Sequence, residues 1–162
     1  MAIVTLTTEI AAPAERCFDL ARHVGFHVES MQRTGERAVE GTTNGLLSFQ
    51  DGVTWEARHL GRRWRMSVRI TAFDRPRFFI DEMSNGPFRW LRHTHRFAEF
   101  APGRTRMEDD LRFASPLGVV GAVFDGVYLA GYMRSLLLER NEALRAAAES
   151  DGWTKYLRNP SA

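Results

Sequence analysis

From Glu36 to Phe113 the chain reads as strand after strand, with only short turn signals in between. Connections that short cannot carry the crossover a parallel pair requires, so neighbouring strands here must be antiparallel. RRWRMSVRITAF is the plainest of them. Trp64, Met66, Val68, Ile70 and Ala72 share one face, and Arg63, Arg65, Ser67, Arg69 and Thr71 share the other. ERAVEG and VTWEARHLG precede it, and RFFIDEM, RWLRHTHRFAEF and RTRMEDDLRF follow, punctuated by DRP, SNGP and APG. Ahead of this meander, IVTLTTEI reads as a first strand, Pro13 opens a short helix through AERCFDLAR, and VGFHVESM suggests a second. Behind it, Pro116 opens a helix of about 30 residues, or two nearly continuous ones, with Gly126 and Gly131 as weak points. The first half of that helix is apolar almost all round, so it must be covered on more than one side. The fold class is α+β.

A chain of 162 residues is most simply one domain. We place it at residues 1–149, with 150–162 as a loosely held tail from which Trp153 and Tyr156 are able to dock on the body. No apolar run reaches the roughly 18 residues of a membrane span, and the N-terminus lacks the basic and apolar regions of a signal peptide. Cys17 stands alone, which excludes an internal disulfide and a thiolate metal cluster. A cytoplasmic location is the default expectation. The net charge is +2, and every basic residue among the 22 except Lys155 is arginine. The one local excess, RHLGRRWRMSVR, sets most of its arginines on the outward face of a strand, where solvated charge is ordinary. No nucleic-acid partner is expected.

The element order is that of the START-like, or helix-grip, superfamily, also called SRPBCC. HVGFHVESM, VTWEARHLG, RITAFDRPRFFIDEM, GPFRWLRHTHRF and SPLGVVG resemble segments of a bacterial subfamily of it, related to polyketide cyclases and dehydrases. The resemblance runs from Ile3 to about Ala148. It implies a curved antiparallel sheet of about seven strands gripping the long helix, with a deep cavity between them. It also implies an apolar ligand, such as a lipid, polyketide or aromatic molecule. Fold alone does not choose between a carrier, a cyclase or dehydratase, and an interaction domain without a specific ligand.

Alternation supplies candidate cavity residues independently. Trp64, Met66 and Val68 face inward, as do Trp55 and His59 on the preceding strand. On the last strand Thr105, Met107, Asp109, Leu111 and Phe113 share the more apolar face. A turn centred on Pro102 sets Phe97 opposite Met107, His95 opposite Asp109 and His93 opposite Leu111, with Arg96 opposite Glu108 outside. Phe79, Asp81 and Met83 belong to the same wall if the parity of their strand allows. From the long helix Val120, Val123, Phe124, Val127 and Gly131 are the expected lid residues.

The two histidines of WLRHTHRF then point inward with Asp109. Three readings stay open. They form a satisfied polar group that tunes the cavity; His95, oriented by Asp109, acts as a general acid or base, with Asp81 as a second acid; or His93, His95 and Asp109 match the ligand set of a non-haem iron or zinc ion. No cofactor or metal is expected. A small apolar ligand is the expected partner. A homodimer through the long helix or a strand edge is not established by any residue pattern.

Overall fold

The computed structural model describes residues 1–116 and 118–158, without the side chains of Val119, Val120 and Ala122. Strand β1 (Ala2–Ile10) leads into helices α1 (Ala14–Ala21) and α2 (Val24–Ser30) and a 3₁₀ turn (Gln32–Thr34). Six strands follow: β2 (Arg37–Gly41), β3 (Gly52–His59), β4 (Arg62–Asp74), β5 (Phe78–Asn85), β6 (Trp90–Ala101) and β7 (Arg104–Ala114). All seven strands form one antiparallel sheet in the order β1-β7-β6-β5-β4-β3-β2. Helix α3 (Gly118–Phe124) passes through a π-helical turn (Asp125–Leu129) into α4 (Ala130–Glu149).

The β6–β7 hairpin has the register that the charge and apolar pairs imply. His95 lies opposite Asp109, His93 opposite Leu111, Phe97 opposite Met107 and Arg96 opposite Glu108. β5 joins them with Asp81 opposite His93 and Phe79 opposite His95, which settles its parity. A bulge between Ile70 and Ala72 adds to the bending of β4 against β5.

At one end the space between sheet and helices is solid. Phe18 of α1 makes edge-on contacts with Phe73, Phe79 and Phe97 at centroid distances of 5.3 to 5.4 Å. Met107, Leu144 and Ala148 complete this cluster. Met107 was expected to line the cavity. It faces inward but lies in the solid end, fully buried.

The long helix departs from expectation in phase. Val127 is 83% exposed and Val123 is also exposed, so neither is a lid residue. Gly131 is exposed, and a Cβ built there would meet no other residue within 4 Å, so no backbone approaches there. Val120 falls among the side chains outside the description. The inward positions are Leu129, Tyr132, Met133, Leu136, Leu137 and Arg140. The cause is Asp125, which is buried on the inner side and accepts from the backbone N–H (2.8 Å) and hydroxyl of Ser115. In a segment apolar all round, that acid sets the face.

The tail is not loose over its described part. Asp151–Trp153 form a 3₁₀ turn and Thr154–Leu157 a last helical turn, α5. Arg16 lies over Trp153 at 4.4 Å, and Tyr156 packs edge-on against His23 and Phe26. Residues 159–162 fall outside the description.

Phe18→Ala removes the ring that three others surround and should cost about 3–5 kcal/mol of unfolding free energy in urea denaturation. A loss under about 1 kcal/mol would contradict a close-packed aromatic end.

Candidate functional site

At the other end, beyond the aromatic cluster, sheet and helix enclose a cavity of about 410 Å³. Four of the expected inward residues on β3 and β4 line it directly: Trp55, Trp64, Met66 and Val68. His59 lines it too, with Nδ1 2.9 Å from the Tyr132 hydroxyl, a hydrogen bond that pins the start of α4 to the end of β3. Phe79 and Asp81 of β5, His93 and His95 of β6 and Leu111 of β7 extend the same wall. Phe124 lines it at the helix end while staying partly exposed. Met83 does not line it. It is half-buried against the cluster of Leu91, Phe113 and Leu137, where a Cβ at Gly86 would come within 2.6 Å of its sulfur.

The polar group on this wall is larger than a histidine pair. His93 Nε2 donates to Asp109 Oδ1 (2.9 Å), and His95 Nε2 donates to Asp81 Oδ2 (3.0 Å). His95 Nδ1 lies 3.0 Å from Asp109 Oδ1 but out of line for a hydrogen bond. The sequence pairs His95 with Asp109 by register. The side chains instead put His93 on Asp109 and His95 on Asp81, because the rings lean along the strand and lie 3.8 Å apart. Phe79 stacks on His95 at 4.2 Å and fixes its ring plane.

Helix α4 contributes residues that the strand pattern does not reveal. Asn141 Nδ2 donates to Asp109 Oδ2 (2.6 Å) and reaches Thr8 Oγ1 (3.3 Å). Arg140 Nη2 donates to the Ala21 carbonyl (3.2 Å), and its Nη1 lies 3.7 Å from Asp109 Oδ1. Both residues sit in the stripe Leu129, Met133, Leu136, Leu137, Leu144. A charged residue and an amide inside an apolar stripe were the available sequence signal for them.

Burial alone would push the Asp109 carboxyl up. Its contacts with His93 and His95 outweigh that and hold it well below the usual carboxylate range. Asp81 is lowered in the same way, against its burial, by the His95 hydrogen bond. Burial pushes His93 down, and the neighbouring His95 adds to this against the pull of Asp109. Asp109 and Asp81 are therefore ionised at neutral pH, with the Arg140 guanidinium beside Asp109.

Asp81, His93 and His95 also offer one ligand atom each within 4.8 Å of one another. Two imidazoles and a carboxylate form a set that iron or zinc accepts. The carboxylate of that set is Asp81 rather than Asp109, which stands behind His93 as a ring-orienting partner. Two arginines of the outward strip have another use: Arg63 and Arg65, with Arg37 of β2, surround Glu56 at 2.5 to 3.2 Å.

A seven-stranded sheet gripping a long helix over an apolar cavity defines a START-like, helix-grip protein. The family model for polyketide cyclase / dehydrase and lipid transport matches residues 1–149, and the chain belongs to that family. Its fold is shared with the protein TTHA0849 from Thermus thermophilus (TM-score 0.70, 18% identity, covering 91% of this chain and 99% of that one). A START superfamily protein from Mycobacterium smegmatis aligns at TM-score 0.69 and 14% identity, over 91% and 97% of the two chains. Major latex-like protein 151 from Panax ginseng aligns at 0.67 and 13%, over 92% and 98%. No curated protein matches the sequence. No helix among the described residues is long and apolar enough to cross a membrane.

The lowered values give stability a definite pH dependence. Below about 6.5 the unfolded chain takes up a proton that folded His93 refuses, so acidification destabilises. Below about 3.9 the ionised-state advantage of Asp109 and Asp81, fully present above that value, is lost as well. His23 and His59 are lowered by burial too and act in the same direction as His93. Unfolding free energy from denaturant titrations should fall from pH 7 to pH 5.5, and less steeply in His93→Gln. An identical slope in that variant would contradict the assignment.

Proposed function

We propose that this protein binds a small, largely apolar molecule, of lipid-, polyketide- or aromatic-like character, in the cavity between the sheet and α4. The observation that carries the reading is the lining: apolar side chains from β3, β4, β7 and α4 surround Asp81, His93, His95 and Arg140, which converge on one part of the wall. Burial of the ligand body supplies affinity at roughly 25 cal/mol per Å² of apolar surface, and a few polar groups set orientation. Ionised Asp81 and the unfilled donors of Arg140 in the cavity wall suit a group that both donates and accepts, such as a hydroxyl. A cytoplasmic setting, with the ligand rather than nucleic acid as partner, fits this reading.

One observation favours an enzymatic version, a cyclase or dehydratase. Asp81 reaches the cavity while its other side is held by His95, so a proton moving at Asp81 would be compensated by the imidazole behind it. In this version the candidate catalytic pair of the sequence is divided: His95 stands behind Asp81, and Asp109 lies beside both imidazoles. Asp81→Asn and His95→Gln distinguish the two: a carrier keeps its ligand within about tenfold in affinity, while an enzyme loses turnover with either and little more with both.

Leu129→Trp places a bulky ring in the cavity from the helix side. It should weaken binding of an apolar fluorescent probe at least about tenfold while leaving the circular dichroism spectrum unchanged. Undiminished binding would place the probe elsewhere and overturn the cavity reading.

A further inference from the structure

The cavity wall carries a second polar group that the ligand reading leaves unused. His27 of α2 stacks on Trp55 at 4.2 Å, and its Nε2 donates to Glu36 Oε1 at 3.1 Å. Glu36 is buried and lines the cavity. Among the described residues, no side chain hydrogen-bonds its second oxygen. The His59–Tyr132 hydrogen bond lies near it, close enough for the charge of Glu36 to act on His59. With one oxygen held by His27 and the residue set in the cavity wall, Glu36 has acceptor capacity left for a donor on a ligand.

The sheet register gives the distance between this pole and the first. Glu36 precedes Arg37, which pairs with Glu56, so it stands level with Ala57 and, across from that, Trp64; Asp81 lies opposite Ile70. Six residues of β4 separate those levels, about 20 Å along the strand, and three interstrand steps separate β2 from β5, about 14 Å across. Side chains directed inward from a curved wall bring the straight-line separation to about 20 Å. The stretch between is apolar: Met66, Val68 and Ile70.

We propose that the cavity is built for an elongated apolar molecule with a hydroxyl at each end, one donating to Asp81 and the other to Glu36. The proposal rests on the ligand reading above and adds the second anchor and the length. Each pole presents a carboxylate oxygen, so each calls for a donor. A carboxylate end would meet like charge at either pole, and an ammonium at the first would meet Arg140.

The test compares 1,12-dodecanediol with 1-dodecanol on the intact chain, read by tryptophan fluorescence, since Trp55 and Trp64 line the cavity. The diol, close to the required span, should bind at least about tenfold more tightly than the mono-alcohol, a gain of the size one added hydrogen bond to a charged group gives. 1,8-Octanediol, too short to reach both poles, should show no such gain over 1-octanol. In Glu36→Met the advantage of the C12 diol should vanish while 1-dodecanol binds as before. Equal affinity of the two C12 alcohols overturns the second anchor and leaves the cavity reading standing. Failure of every alcohol to bind overturns both. A diol advantage that survives Glu36→Met removes Glu36 as the anchor. The comparison on the unaltered chain decides the matter even if that variant does not fold.

Discussion

Asp109 is the point at which the two layers are tied together. Its carboxylate, 1% exposed, takes a hydrogen bond from His93 on the neighbouring strand and another from Asn141 on α4, with Arg140 beside it. An ionised group that deep is tolerable only when its oxygens are filled, and here the filling comes from both sheet and helix. The helix therefore cannot slide or roll over the sheet without stranding a buried charge. That constraint lets α4 stand over a space that is not fully packed.

The cavity follows from how the apolar side chains are distributed along that axis. Near α1 and the end of α4, Phe18, Phe73, Phe79 and Phe97 interlock and fill the wedge. Farther along, the helix presents Leu136, Met133 and Leu129 to a sheet that has curved away, and these do not reach across. The far end is held by different means: the His59–Tyr132 hydrogen bond and the Asp125–Ser115 contacts anchor the helix where it has little apolar packing.

Strand identity was legible from alternation and turn signals and the order of β2 to β7 from their short connections, while the β6–β7 register was legible because independent pairs agreed on it, Phe97 with Met107 and Arg96 with Glu108. Depth was not legible. Met107 and Leu111 share one face of β7, yet the first is solid core and the second is cavity wall, since alternation gives the side and not the position along the wedge. The lid face was legible only in part: Phe124 lines the cavity as expected, but apart from Asp125 residues 118–130 are apolar in every direction, which leaves periodicity little to read. Arg140 and Asn141 carried a usable signal as polar residues in an apolar stripe. The exchange of partners between His93 and His95 did not, since χ angles rather than register decide it.

The central claim is that the space between sheet and helix exists to hold an apolar molecule. Native mass spectrometry of the protein, purified without detergent and exposed to a mixture of lipid and aromatic small molecules, tests it most directly. The account predicts a 1:1 complex with one or a few organic masses, lost in Leu129→Trp. A bare chain mass throughout, with nothing retained from the mixture, would contradict it.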